Sequence, residues 1–363
     1  MKSNPILRFL IVLGIALAVQ PALAKEYILT AARPNLLVLA DPAKREVVKS
    51  FEVPDAGSGI STVVPSPDGR IAYVVTNRWE SVAGIDLDSG EQVFRADFST
   101  PQRRVKAVFA MDVSPDGQEM VVLQSPVQLK RDHYEVEDVY AAVYRTDAGV
   151  GAQPARRFSI PRRTALLAYS EDGSKLYAIG WNIEIYDPAT GQHIGTHALR
   201  HWQRPNYSEP DVLDVWPQWE QASMFTTPYY AVRTDLDPSD PAAYKTGLVT
   251  LDLVNDRYVT RDFEDTAVVI FSSVMNPVRR NEVYGVYTQL SKIDADKGSL
   301  LERINLDHTY YSINVSGDGR ELYLAGTMDD IAIYDSASFR KLGEIRIPGG
   351  GDMALASIRI INR

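Results

Sequence analysis

The sequence of 363 residues predicts an all-β fold, a seven-bladed β-propeller of four-stranded antiparallel blades. Three observations support this prediction. A Ser-x-Asp-Gly turn recurs between apolar strands, a second hairpin follows each of these turns, and the 3.6-residue periodicity of amphipathic helices is nearly absent. A β-sandwich or an open β-solenoid is the alternative that the same strands allow.

The recurring turn occupies residues 66–69, 114–117, 170–173 and 316–319, and weaker copies lie at Trp216-Pro217 and Asn276-Pro277. The motif suits a tight turn because proline presets φ at one corner and glycine accepts a positive φ at the last. Apolar strands flank the copies on both sides. Each copy therefore predicts a β-hairpin.

A second hairpin, with an aspartate in its turn, follows each first one. The seven copies span residues 36–53, 82–98, 140–161, 183–199, 248–263, 290–306 and 331–348. Two hairpins give four strands per unit. Seven units over residues 25–363 average about 48 residues each, which is the size of a propeller blade.

The two ends of the chain supply the strands that are missing from one blade. Glu26–Ala32 is apolar and has no preceding strand to pair with, whereas residues 353–361 form an apolar strand after the last hairpin. We therefore expect these two segments to pair and to close the ring.

The first residues are typical of a secretory signal peptide. Lys2 and Arg8 precede an apolar run over residues 9–19, and Ala22-Leu23-Ala24 provides a small-x-small cleavage site. A single membrane anchor is the alternative, but the run of about 11 residues is shorter than the roughly 20 needed to cross a bilayer. The prediction is a cleaved signal over residues 1–24, a single domain over residues 25–363 and a periplasmic location without a membrane span.

Composition limits what this domain could bind. The formal charge of −9 argues against nucleic acid, which proteins bind through basic patches. The chain has no cysteine, so it has no disulfide, no thiolate-bound zinc, no iron–sulfur cluster, no covalently attached c-type haem and no thiol nucleophile.

Long connections are predicted on only one face of the ring. In such a blade the turn within each hairpin lies on one face, here called the turn face, and the connections between hairpins and between blades lie on the other. Residues 99–106, 126–139, 200–210 and 234–247 all belong to the second kind, so we call theirs the insertion face. Long loops on a rigid scaffold are common binding sites.

Aromatic residues and their polar neighbours are concentrated in the connections of the insertion face, and tryptophan, tyrosine and arginine are the types that anchor interfaces. The predicted partner or substrate-cavity residues are Trp79, His133, Tyr134, Trp181, His201, Trp202, Arg204, Tyr207 and Tyr310. A structural role, in which an aromatic ring fixes a loop to the scaffold, is the alternative for each of them.

Motifs that suggest metal or catalytic chemistry are incomplete. His193, His197 and His201 have metal-like spacing only on a helix, and here they fall on or beside a strand. Residues 86–90 resemble the start of a calcium loop without its closing glutamate, and residues 57–59 lack the third glycine and the helix of a dinucleotide site. We predict no metal site and no catalytic residue in this chain.

The strand Tyr73-Val74-Val75-Thr76-Asn77, the Ser-Pro-Asp-Gly turns, the start at Glu26-Tyr27-Ile28 and the insertion Arg131-Asp132-His133-Tyr134 resemble the β subunit of quinohemoprotein amine dehydrogenase. The heavy subunit of methylamine dehydrogenase is a more distant relative in architecture. The resemblance covers essentially the whole of residues 25–363.

This resemblance implies a periplasmic heterotrimer that oxidises primary amines. A dihaem cytochrome c α subunit and a small γ subunit with cysteine tryptophylquinone would be the partners and would hold the cofactors. The propeller would then dock both partners and wall the substrate cavity without a catalytic group. A stand-alone propeller lactonase or hydrolase, or a ligand-binding module, is the alternative.

Overall fold

The computed structural model describes residues 25–57, 59–107, 109–212, 216, 218–353 and 357–363. The expected signal segment lies outside the described residues. Seven antiparallel sheets form a seven-bladed propeller, as the repeats predicted. In the described part of the chain, no helix is long and apolar enough to cross a membrane.

The strands of blades 1 to 3 are, in chain order, β1 (Glu26–Ala32), β2 (Leu36–Asp41), β3 (Glu46–Glu52), β4 (Val63–Pro65), β5 (Ile71–Thr76), β6 (Ser81–Asp86), β7 (Gln92–Asp97), β8 (Arg103–Lys106), β9 (Met111–Val113), β10 (Glu119–Leu129), β11 (Tyr134–Val136), β12 (Tyr140–Arg145) and β13 (Arg156–Ser159). Those of blades 4 and 5 are β14 (Leu166–Tyr169), β15 (Leu176–Ile179), β16 (Ile183–Tyr186), β17 (His193–His197), β18 (Asp211–Val212), β19 (Met224–Val232), β20 (Tyr244–Asp252) and β21 (Arg257–Glu264). Blades 6 and 7 contain β22 (Ser272–Met275), β23 (Glu282–Val286), β24 (Gln289–Asp294), β25 (Ser299–Asn305), β26 (Tyr310–Val315), β27 (Glu321–Gly326), β28 (Asp330–Asp335) and β29 (Lys341–Arg346), and β30 (Arg359–Asn362) returns to blade 1. A single turn of 3-10 helix, Pro241–Ala243, precedes β20.

Blade 1 is completed by both ends of the described chain. β1 pairs with β2 on one side and antiparallel with β30 on the other, so that Leu29 lies opposite Arg359. The backbone hydrogen bonds continue to Lys25 and Arg363. The predicted ring closure is confirmed, with a shorter strand than residues 353–361, of which 354–356 lie outside the described residues.

The Ser-x-Asp-Gly motif folds as a self-supporting turn. In the first copy, the Ser66 hydroxyl donates to the Asp68 carboxylate over 2.6 Å and accepts from the Ile71 N–H over 2.9 Å. Gly69 has a φ of 67°, a left-handed conformation that suits glycine. The same two hydrogen bonds recur in the three other copies, which explains why the motif repeats.

Buried tyrosines on the second strands fill the space between blades. Tyr73 and Tyr229 are completely buried and lie opposite Gly84 and Gly247 on the neighbouring strands. A β-carbon at position 247 would be 2.0 Å from the Tyr229 ring. Glycine is therefore required there because the Tyr229 ring occupies the space of a side chain at position 247.

Three of the four predicted long loops contain sheet structure, and one of them, residues 234–247, includes the start of β20. β10 continues past the body of blade 3 to Leu129, where it pairs with β8 and with β11. Residues 103–106, 126–129 and 134–136 are therefore strands, although the repeat pattern predicted connections there. The turn face also has long connections, between β12 and β13 in blade 3 and between β18 and β19 in blade 5, where only short turns were expected.

Candidate functional site

The extension of blade 3 forms a small platform on the insertion face, made of β8, the last part of β10, and β11. All three residues of β11 are exposed, and Tyr134 has 75% of its surface accessible. The ion pair between Arg103 and Glu137, at 2.6 Å, fixes the base of this platform. His133 precedes Tyr134; its Nδ1 lies 2.8 Å from the Asp132 carboxylate, and its carbonyl accepts from the Lys130 N–H over 3.0 Å.

A second exposed aromatic residue lies on blade 4. The Trp181 side chain is 47% exposed, and its ring is flanked by the guanidinium groups of Arg163 and Arg200, whose Cζ atoms lie 4.9 and 5.2 Å from the ring centroid. The His201 ring meets it edge-on at 6.3 Å. The structure thus brings two predicted residues, Trp181 and His201, together.

Trp202, Arg204 and Tyr207 form a different cluster, which holds the 200–210 connection onto blade 5. The Arg204 guanidinium binds both oxygens of Asp262, at 2.7 and 2.6 Å, and stacks on the Tyr207 ring. Trp202 packs edge-on against Tyr207, and its indole N–H donates to a backbone carbonyl. Burial would raise the pKa of Asp262, but the hydrogen bonds from Arg204 and the tyrosines outweigh it and lower that pKa. These contacts fasten a loop to the scaffold.

Trp79 and Tyr310 are far less accessible than their positions suggested. Tyr310 is completely buried, and its hydroxyl donates to Asp330 over 2.8 Å while its ring packs on His308. It therefore offers no surface to a partner. Trp79 lies in a left-handed turn, with a φ of 70°, and is half-buried beneath the Lys106 ammonium, which is 5.2 Å from the ring centroid.

The central channel contains a cavity of about 530 Å³ at its turn-face end. It is lined by the inner strands and first turns of blades 1 to 5, with Asp112, Tyr169, Trp219 and Glu220 among its walls. The Asp112 carboxylate accepts from the Val113 N–H over 2.9 Å and from the Tyr169 N–H over 2.8 Å. Burial raises the pKa of Asp112 to about 7, although these hydrogen bonds act in the opposite direction.

A buried arginine stands beside this cavity. Arg359 is 3% exposed; its guanidinium pairs with Glu220 at 2.6 Å, donates to Gln218 over 2.9 Å and lies over the Trp219 ring. Trp219 also lines a second cavity of about 20 Å³, which Arg359 borders. Arg359, Glu220 and Gln218 thus form a hydrogen-bonded polar group beside the cavity.

The sequence did not lead us to the residues that line this channel. One signal was present, since Asp112 occupies the first-strand position that Val64 and Ala168 fill in neighbouring copies of the repeat. A carboxylate at a position where the neighbouring copies have an apolar residue indicates a function that is specific to this blade. Its contact with Tyr169 shows one such role, because it links blade 3 to the free edge of blade 4.

Among the residues that the structure describes, no three histidine or acidic side chains are arranged to hold a metal ion. The three spaced histidines have separate neighbours: His193 contacts Glu184, His197 contacts Asp256, and His201 contacts Asn182.

No family model matches the chain, and no curated protein matches it at a significant level. Solved structures match in fold. A hydrazine synthase chain from Kuenenia stuttgartiensis is 14% identical with a TM-score of 0.55, covering 86% of this chain and 90% of its own length. A functionally unknown protein from Desulfotomaculum acetoxidans is 10% identical with a TM-score of 0.60, covering 93% of this chain and 99% of its own. At these identities, the chain is similar to both as a propeller, and no specific family is identified.

Proposed function

We propose that the chain is the non-catalytic propeller subunit of a periplasmic quinohemoprotein amine dehydrogenase. It would dock a small quinone-bearing γ subunit and a dihaem cytochrome c α subunit, and wall the cavity in which a primary amine is oxidised. The observation that supports this proposal most directly is the platform of blade 3, an ordered three-stranded surface that presents Tyr134 and Val136 to solvent.

The platform has the properties of an interface. Large apolar side chains are costly to leave in water, and Tyr134 is 75% exposed beside Val136, which is 61% exposed. The surrounding strands are fixed by cross-strand pairing and by the Arg103–Glu137 ion pair. A rigid surface loses little entropy when it binds a partner, so such a patch is suited to docking.

The redox groups are assigned to the partners because this chain has no cysteine with which to form a thioether to haem or to a quinone. The contribution of the propeller would be to position its partners and to exclude water from the amine-oxidising cavity. Arg204 and Trp202 would hold that wall in position, since hydrogen bonds fix their side chains.

A stand-alone ligand-binding module or hydrolase is the second candidate, and the channel cavity favours it. A carboxyl group whose pKa is near 7 can act as an acid or a base at neutral pH. Asp112 is such a group and lies in a cavity of about 530 Å³, which is large enough for a small organic ligand.

Affinity purification of the tagged chain from its native periplasm tests the proposal. We expect a haem-staining chain and a quinone-staining chain to co-elute, and Tyr134→Ala together with Val136→Ser to reduce their yield. Val150→Ser is the matched control, because Val150 is 66% exposed but lies in the blade 3 connection on the turn face. Recovery of the chain alone, with lactone hydrolysis by the purified protein, would favour the second candidate.

A further inference from the structure

The insertion face contains a basic and aromatic surface that adjoins the platform of blade 3 at Glu137. We define the Trp181 patch as Arg162, Arg163, Trp181, Arg200 and His201. Its residues come from three connections that meet beside the fourth blade, between β13 and β14, between β15 and β16, and after β17. The patch is therefore a product of the fold and not of one loop.

Backbone contacts hold these three connections together. A β-carbon at Gly180 would lie 2.1 Å from the Arg163 carbonyl oxygen, so the two connections touch backbone to backbone. On the other side, the Arg200 N–H donates to the Trp181 carbonyl over 2.6 Å. The indole and the two guanidinium groups are thus placed next to each other before any partner arrives.

The patch has an excess of positive charge on a chain whose formal charge is −9. Arg200 is paired with Glu209 at 3.2 Å. Arg162 donates to the backbone carbonyl of Glu137, and within the described residues neither it nor Arg163 forms an ion pair with a carboxylate. Among the described residues, these two exposed guanidinium groups therefore lack an ion-pair partner.

We propose that the Trp181 patch docks an acidic segment of a partner protein. A guanidinium that stacks on an indole keeps its N–H edge free to bind a carboxylate through two hydrogen bonds. The exposed indole supplies the apolar contact at the same point, and tryptophan and arginine are the residues that most often dominate interface energies. The inference rests on the proposed docking role of the insertion face and adds the chemistry of the partner.

A protein segment fits this patch better than a long polyanion. Nucleic acid and anionic membranes extend well beyond two guanidinium groups and would meet the negative charge of the rest of the chain. A short acidic segment needs only local complementarity, which also increases the rate of association.

The direct test uses a fluorescein-labelled peptide of glutamates with a central tyrosine, titrated with the purified chain at low ionic strength. We expect saturable binding that added salt weakens, that Arg163→Glu weakens by about tenfold or more, and that Trp181→Ala also weakens. Arg340→Glu is the matched control, because Arg340 is also exposed, forms no ion pair within 4.0 Å among the described residues and lies on the turn face. Arg163→Gln should give an intermediate affinity, and circular dichroism confirms that each variant is folded.

Absence of peptide binding, or equal losses in Arg163→Glu and Arg340→Glu, would overturn the inference. Single-stranded DNA and vesicles of phosphatidylglycerol are tested in parallel. Tighter binding of either than of the peptide, with the same sensitivity to Arg163→Glu, would overturn the assignment of a protein partner.

Affinity purification with the Arg163→Glu variant separates this inference from the proposed function. Undiminished co-elution of the haem and quinone chains with the variant would overturn the inference and leave the proposed function intact. Loss of both chains from the variant, but not from Arg340→Glu, supports both the inference and the proposed function. Peptide binding by a chain that recovers no haem or quinone partner supports the patch alone.

Discussion

The Asp112 carboxylate in blade 3 accepts a hydrogen bond from the Tyr169 backbone N–H in blade 4, at 2.8 Å. It thereby satisfies a donor at the free inner edge of the next blade. The carboxylate is buried at this contact between blades, and its burial raises its pKa to about 7.

The free energy of unfolding should therefore fall as the pH rises from about 4 to about 7. In this window the folded state binds a proton at Asp112 that the unfolded state, with its pKa near 3.8, has already released. The total effect is on the order of a few kcal/mol. Denaturant unfolding across this pH range measures it.

Asp112→Asn should reduce this pH dependence because an amide does not titrate, and near pH 4 it should lower stability by about 1 to 3 kcal/mol because one backbone N–H loses its acceptor. Asp116→Asn is the control, since Asp116 lies in the same repeat but hydrogen bonds from Ser114 lower its pKa, so that it titrates below the window. An unchanged pH slope in Asp112→Asn would show that other groups cause the dependence.

Removal of residues 359–363 should cause aggregation. The deletion takes away β30 and leaves the inner edge of β1 unpaired, with its buried Ile28 and Leu29. Size-exclusion chromatography and thermal melting measure the outcome. A truncated chain that stays monomeric with an unchanged melting temperature would mean that β30 contributes little to ring closure.

Tyr134→Ala and Trp202→Ala should have different effects, although both residues lie on the insertion face. Tyr134 is exposed, so its removal should leave stability nearly unchanged and weaken partner assembly by on the order of 2 kcal/mol. Trp202 packs on Tyr229, so its loss should lower stability by about 2 to 3 kcal/mol.

Denaturant unfolding and complex formation, measured on both variants, distinguish these two roles. Asp172→Ala, in a turn on the opposite face, should spare assembly. Equal losses of assembly from Tyr134→Ala and Asp172→Ala would indicate general destabilisation.

The isolated chain should be colourless and unable to oxidise primary amines, because it has no cysteine to attach c-type haem or a thioether-linked quinone. Visible absorption spectra and an amine-dependent dye reduction assay check this. Amine oxidation by the purified single chain would contradict the scaffold role.

The repeats were sufficient to predict the blades, because each Ser-x-Asp-Gly turn is stabilised by bonds within about five residues, as between Ser66 and Ile71. The platform of blade 3 was not predictable in the same way. One of its pairings joins segments distant in sequence, since Gln128 lies opposite Arg103, whereas β10 and β11 form a local hairpin without the turn motif of the repeats. Neither pairing has a counterpart in the repeated pattern, so the pattern did not predict it.

The candidate site was also predictable only in part. Topology correctly placed Trp181 and Trp202 in connections of one face, but it could not show that one ring lies in solvent and the other on Tyr229. Tyr310 was grouped with them although its hydroxyl is buried on Asp330. Side-chain direction depends on packing between loops, which spacing alone does not determine.

The pairing of β1 with β30 also affects the order of folding. Six blades are continuous in sequence and can form as the chain emerges, whereas blade 1 lacks its innermost strand until Arg359–Asn362 is available. The ring cannot close while only part of the chain has been synthesised. Blade 1 must therefore assemble after nearly the whole polypeptide is available. Closure of the ring is therefore expected to be the last step of folding.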